Sequence, residues 1–96
     1  MIALDSLAMS PAEIRTRIIH ALTQYDREQS RRKGYNPHAL AHYCRAAQDI
    51  ERSLIVAARP PRQIVLMALS GRVADLALRS IGEPPATADE RKTYVW

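Results

Sequence analysis

Met9-Ser10-Pro11-Ala12-Glu13-Ile14 and Tyr35-Asn36-Pro37-His38-Ala39-Leu40 carry the same instruction for starting an α-helix, written twice in one short chain. In each, Ser10 or Asn36 stands where a side-chain oxygen can accept from a free backbone N–H of the first turn. Proline comes next, where its missing N–H costs nothing and its fixed φ suits the helix. An apolar residue before the cap, Met9 or Tyr35, is placed to staple against one beyond the first turn, Ile14 or Leu40. Glu13, three residues after Ser10, completes a capping-box pattern.

Working outward from these starts, the spacing predicts a first helix from Pro11 to Arg32 or Lys33, stopped by Gly34. Ile14, Ile18, Ala21, Leu22 and Tyr25 form its apolar stripe, and Asp26 to Lys33 is polar all round, a stretch expected to project past the core or fray. A second helix should run from Asn36 to about Ala58, where Pro60 and Pro61 remove donors. Leu40, Tyr43, Cys44, Ala47, Ile50 and Leu54 make its inner face, while His38, His42, Arg45, Asp49 and Arg52 fall on the outer one. Pro61 can open a third helix, with Ile64 to Leu69 as the most enclosed segment. Ser70-Gly71 then either breaks the chain into a fourth helix ending at Ile81-Gly82 or sits inside one longer helix at a cost of about 1 kcal/mol. Glu83-Pro84-Pro85 is expected to end the fold, Ala86 to Lys92 to be a polar linker, and Thr93-Tyr94-Val95-Trp96 a β-prone ending.

The expected fold is therefore all-α, a small bundle of three to four helices with a short extended or disordered C-terminal tail. Residues 1–9 form an N-terminal arm, 10–82 a single domain and 83–96 the tail. At 96 residues with 47% apolar and 25% charged side chains there is room for one core, which must be built without phenylalanine. Small aliphatic residues allow close helix approach and favour a bundle over a sandwich. The single cysteine, Cys44, permits no internal disulfide and suits a reducing compartment. The longest apolar run is far short of the roughly 20 residues that span a bilayer, and Ile2 to Met9 lacks the basic flank of a signal peptide. These features point to a cytoplasmic protein with no membrane partner.

Chemistry-bearing patterns are sparse. His38 and His42 have the four-residue spacing of a shared zinc ligand pair, but Ala39-Leu40-Ala41 between them supplies no catalytic Glu, Cys44 points to the other face and His20 lies on another helix. Cys44 falls within an apolar series, where a thiol packs as a small hydrophobe rather than reacting. Neither a nucleophile elbow nor a phosphate-cradling glycine loop occurs, since the glycines stand alone at 34, 71 and 82. The reading is of no enzyme, no metal and no cofactor.

Charge offers more. The net charge is +4, and within Ser10 to Gly82 the excess of Lys and Arg over Asp and Glu is larger still. Most of the fourteen basic residues are arginine, which suits carboxylate or phosphate recognition and is equally the mark of a GC-rich genome. Arg31-Arg32-Lys33 precede a turn that delivers the positive end of the second helix. Those cations also offset the dipole of their own helix, and Tyr35 serves as a staple, so function and capping both explain the cluster. A helix-turn-helix over Arg62 to Ile81 would present Arg72, Asp75 and Arg79, with Asp75 opposing phosphate.

The run Lys33-Gly34-Tyr35-Asn36-Pro37-His38-Ala39-Leu40-Ala41-His42-Tyr43, with Ser70-Gly71-Arg72 and Ile81-Gly82, resembles small all-helical proteins of bacterial mobile elements, plasmids and prophages. That resemblance implies a regulator or inhibitor of a host complex, a setting that includes anti-CRISPR proteins, and transfers no site residue. The leading expectation is a non-enzymatic helical interaction protein that binds stoichiometrically to a host or phage macromolecular complex, which can include a nucleic-acid-binding one. Its candidate docking residues are Arg31, Arg32, Lys33, Tyr35, Arg45, Arg52 and Trp96. The alternative is a small basic DNA- or RNA-binding regulator. The sequence sets no oligomeric state.

Overall fold

The computed structural model describes residues 9–94 and 96 and is helical, with no strand among the described residues. Its helices are α1 (Pro11–Lys33), α2 (Pro37–Val56), α3 (Pro61–Ala68), α4 (Gly71–Ser80) and α5 (Ala88–Thr93). Helix α1 packs along both α2 and α4, and α3 joins α2 to α4. The expected arm lies almost wholly outside the described residues, as does Val95.

Both duplicated starts form as written, with informative departures. Ser10 accepts from the Glu13 N–H at 3.0 Å, and Asn36 accepts from the His38 N–H at 3.0 Å. The Glu13 carboxylate pairs with Arg17 one turn on, at 2.9 Å, so the cap at Ser10 is made from one side. Met9 packs against the core, whereas Tyr35 is 74% exposed, so its ring is not held as a staple. The polar end of α1 does not fray: the helix stays regular to Lys33, closes with Gly34 N–H to the Ser30 carbonyl at 2.9 Å, and buries Asp26 on its inner side.

The core is continuous through the bundle. Ile18, Leu22, Ala47, Ile50, Val65 and Leu78 are fully enclosed. The outer face of α2 is as its periodicity predicts, His38, His42, Arg45, Asp49 and Arg52 all being exposed. A half-buried Arg15–Glu51 pair at 3.4 Å ties the start of α1 to the last turns of α2, so the two helices run antiparallel. Helix α3 is less enclosed than its composition implies, because Met67 and Ala68 face out while Ile64, Val65 and Leu66 face in.

The two-helix alternative holds at Ser70-Gly71. Leu69 and Ser70 are extended, and Gly71 opens α4 at φ +65°, a left-handed value that a side chain would resist. Helix α4 ends in a Schellman arrangement: the Glu83 N–H reaches the Leu78 carbonyl at 2.9 Å and the Gly82 N–H the Arg79 carbonyl at 3.1 Å.

The chain does not leave the fold at the prolines. Ala86 is buried, and its N–H donates to Asp75 Oδ1 at 2.9 Å. Thr87 and Glu90 form a full reciprocal capping box that starts α5 inside the stretch expected to be a linker. Tyr94 and Trp96 pack against the core, and the Arg91 guanidinium lies 5.7 Å from the Trp96 ring centre. The sequence reading weighed the polarity of Ala86 to Lys92 and passed over the Thr87–Glu90 cap.

Arg62 locks this segment down. Its Nε and Nη2 donate to the two carboxylate oxygens of Glu90 at 2.8 and 2.6 Å, and its remaining donors reach Glu83, the Pro84 carbonyl and the Pro85 carbonyl. A fork that satisfies both oxygens of one carboxylate is the strongest arrangement arginine makes.

Candidate functional site

A cluster of cations sits at the end of the bundle where α1 finishes. Arg31, Arg32, Lys33 and Tyr35 are all exposed there. Helix α1 and the start of α4 form an open groove of about 410 Å³ whose lining includes Gln24, Tyr25, Arg27, Arg31, Arg72 and Leu76. A second depression, about 600 Å³, lies on the other side of the same helical ridge, lined by Asp26, Arg27, Ser30, Arg31 and Tyr35. Arg27 and Arg31, one turn apart on α1, thus border both hollows.

Among the described residues, Arg27, Arg31, Arg32, Lys33 and Arg72 have no carboxylate within ion-pair distance. The pairs that form are Arg15–Glu51, Arg17–Glu13, Arg52–Asp49, Arg91–Asp75 and the Arg62 cluster. Glu28 lines the first groove and partly offsets it. Beneath the ridge, Tyr25 and Tyr43 stack at a tilt, 6.4 Å between centres. Burial, then the neighbouring Tyr25 and Asp26, holds the Tyr43 hydroxyl above its ordinary pKa.

The structure leaves Arg31, Arg32, Lys33 and Tyr35 exposed close together in the chain, and the fold brings Arg27 and Arg72 beside Arg31. Arg27 was legible as the residue four before Arg31. Arg72 becomes a neighbour only because α4 packs on α1. Arg45 and Arg52 lie on the exposed face of α2, with Arg52 4.0 Å from Asp49. Trp96 does not join the cationic surface; it is half-buried against the core, its indole N–H enclosed without a hydrogen-bond partner. Asp75 does not point outward between Arg72 and Arg79 as expected. It is held by the Ala86 N–H and by Arg91 at 3.7 Å, so its charge is turned toward the C-terminal segment.

The three histidines are exposed, and the described residues contain no group of three or more potential metal ligands. His20 shares a 3.3 Å contact with Gln24, and Cys44 is half-buried. Changing His38 and His42 together to Ala is expected to move stability by no more than about 0.5 kcal/mol. A thermal melt with and without added zinc checks this, and a zinc-dependent rise in Tm that the double variant loses would reject it.

One feature was not anticipated. Ile55, Val56 and Met67 are 67%, 78% and 59% exposed, leaving large aliphatic side chains in solvent near the end of α2 and on α3. Since α2 spans 20 residues, this apolar end lies about 30 Å from the cationic one. Arg59, unpaired among the described residues, also lies at this apolar end, its Nη1 3.8 Å from Met67 Sδ.

No helix among the described residues is long and apolar enough to cross a membrane. No protein-family model, curated protein or solved structure matches the chain.

Proposed function

We propose that this protein is a non-enzymatic binding module that acts stoichiometrically on a larger macromolecular complex, as a regulator or inhibitor, and docks through its cationic end. The observation that carries this reading is the convergence of Arg27, Arg31 and Arg72 on one groove, beside Arg32 and Lys33, with none of them engaged by a carboxylate among the described residues. Capping needs fewer charges than this, and Arg72 lies on another helix, where the dipole of α1 gives it no role. Guanidinium groups left free beside a groove are suited to oriented, charge-assisted hydrogen bonds with an anionic partner. Such a surface also speeds encounter and selects among partners through its field.

The test is capture from the native host with the tagged whole protein, analysed for both protein and nucleic acid. The wild type should retain a defined complex in fixed stoichiometry. Replacing Arg31, Arg32 and Lys33 by Ala should reduce that retention by about tenfold or more while Tm shifts little, since all three are exposed. Undiminished retention by the triple variant would remove the cationic end from the interface and leave the exposed face of α2, with Arg45 and Arg52, in its place.

A further inference from the structure

The cationic end combines two features that protein-docking and strand-binding surfaces use differently. Stable protein interfaces gain their energy from a buried apolar centre. The large exposed aliphatic residues, Ile55, Val56 and Met67, are remote from this end, and the large apolar group exposed among the cations is the Tyr35 ring. Surfaces that bind single-stranded nucleic acid combine a positive groove that tracks phosphates with aromatic rings on which bases stack. Here Arg27 and Arg31 line both hollows; Tyr25 lines one and Tyr35 the other, and Arg72 lines the first with them. Tyr35 is 74% exposed and stands directly before the capping residue Asn36, so a fixed helix start holds its backbone. Asp75 on α4 is paired with Arg91 at 3.7 Å, which leaves Glu28 as the one carboxylate lining the first groove, against Arg27, Arg31 and Arg72.

We infer that the cationic end binds single-stranded nucleic acid, with phosphates along the Arg27, Arg31 and Arg72 groove and a base stacked on Tyr35. The inference rests on the docking reading above and names the partner as an exposed strand of the complex. Arg27 and Arg31 are one helical turn apart, so they can neutralise neighbouring charges on a flexible backbone. Contacts to phosphates and the face of a base carry the binding, which is therefore tolerant of sequence.

Fluorescence anisotropy of labelled oligo(dT) and oligo(U) strands of about 16 nucleotides with the whole protein provides the test, beside a duplex of equal length. Both strands should bind more tightly than the duplex, with affinity falling linearly against the logarithm of salt at about −0.7 per phosphate contacted. Arg27, Arg31 and Arg72 changed together to Ala should flatten that slope by about 2. Tyr35→Ala should weaken strand binding by about tenfold with the slope unchanged, and Tyr35→Phe should restore it, because stacking needs the ring and not the hydroxyl. No strand binding at about 50 mM salt, a preference for duplex, or a Tyr35→Ala variant that binds as the wild type would overturn the inference. Running the Arg27, Arg31 and Arg72 variant through the host capture separates the two claims. Loss of the captured complex without strand binding by the wild type sinks this inference and leaves the docking surface standing, whereas retention of the complex removes the surface itself.

Discussion

Ala47→Pro is expected to abolish cooperative melting near room temperature, the largest effect of any single substitution considered. Position 47 is interior to α2, far from either end of its 20 residues, and is fully enclosed. Proline there removes one backbone donor and drives its ring into the carbonyl four residues earlier, that of Tyr43, at about 3 kcal/mol or more. The ring must also enter closed core, which adds about 1 to 3 kcal/mol of overpacking. Against a total stability of roughly 5 to 14 kcal/mol for a chain of this size, that sum removes from about a third to the whole. Far-UV circular dichroism with thermal melting is the measurement. Ala88→Pro is the control: it enters the first position of α5, where the missing N–H has no helical partner, and should melt within a few degrees of the wild type. A cooperative Ala47→Pro melt close to the wild type would show that α2 is not the central packing element.

The all-helical architecture was legible because its signals are local. Ser10, Asn36 and the prolines after them set two helix starts, and Pro60-Pro61 forced a stop, each through geometry that distant contacts do not change. Gly71 was read as a break or a kink, and the left-handed φ that decides for a break follows from how Leu69 must turn to stay buried, a tertiary demand. The C-terminal segment was misread for the opposite reason. Polarity over Ala86 to Lys92 reads locally as solvation, yet the Glu90 carboxylate is engaged by Arg62, 28 positions earlier. A long-range ion pair leaves no periodicity in the sequence. The Thr87–Glu90 capping box was the local clue, weaker than the other two because no proline marks it.

The candidate site divides along the same line. Arg31, Arg32, Lys33 and Tyr35 are consecutive or nearly so, and their grouping needed only the chain. Arg72 joins them through the packing of α4 on α1, and Asp75 leaves the surface through the packing of the C-terminal segment. Asp75 counts against a helix-turn-helix reader over Arg62 to Ile81, and its contact with the Ala86 N–H, which no local pattern announces, removes only that objection. The apolar end is illegible for a further reason: Ile55 and Val56 lie at the close of a helix whose stripe would have been complete without them.

Arg62→Ala is expected to detach the C-terminal segment while the bundle remains. The guanidinium serves Glu90, Glu83 and the carbonyls of Pro84 and Pro85 at once, and its removal leaves two carboxylates facing each other without the cation between them. Charge-assisted hydrogen bonds lost from a partly solvated cluster put the cost at about 2 kcal/mol, which for a domain of this size lowers Tm by roughly 8 to 16 °C. Trp96, the sole tryptophan, reports the detachment directly, because it packs against the core beyond α5. Its emission should shift to the red in Arg62→Ala while far-UV helicity falls only by the share of α5. Arg62→Lys, which keeps the charge and loses the fork, should fall between. The same cluster sets an acid dependence. Hydrogen bonds from Arg62, then from the Thr87 backbone, lower the Glu90 carboxyl from 4.5 to about 2, so the contribution of its charged form is complete above about pH 4.5 and is lost as pH falls toward 2. Wild-type Tm should therefore drop across that window and Arg62→Ala should follow a flatter course. An unchanged Tm and an unshifted Trp96 emission in Arg62→Ala would show that the apolar contacts of Ala86, Tyr94 and Trp96 hold the segment without the ion cluster.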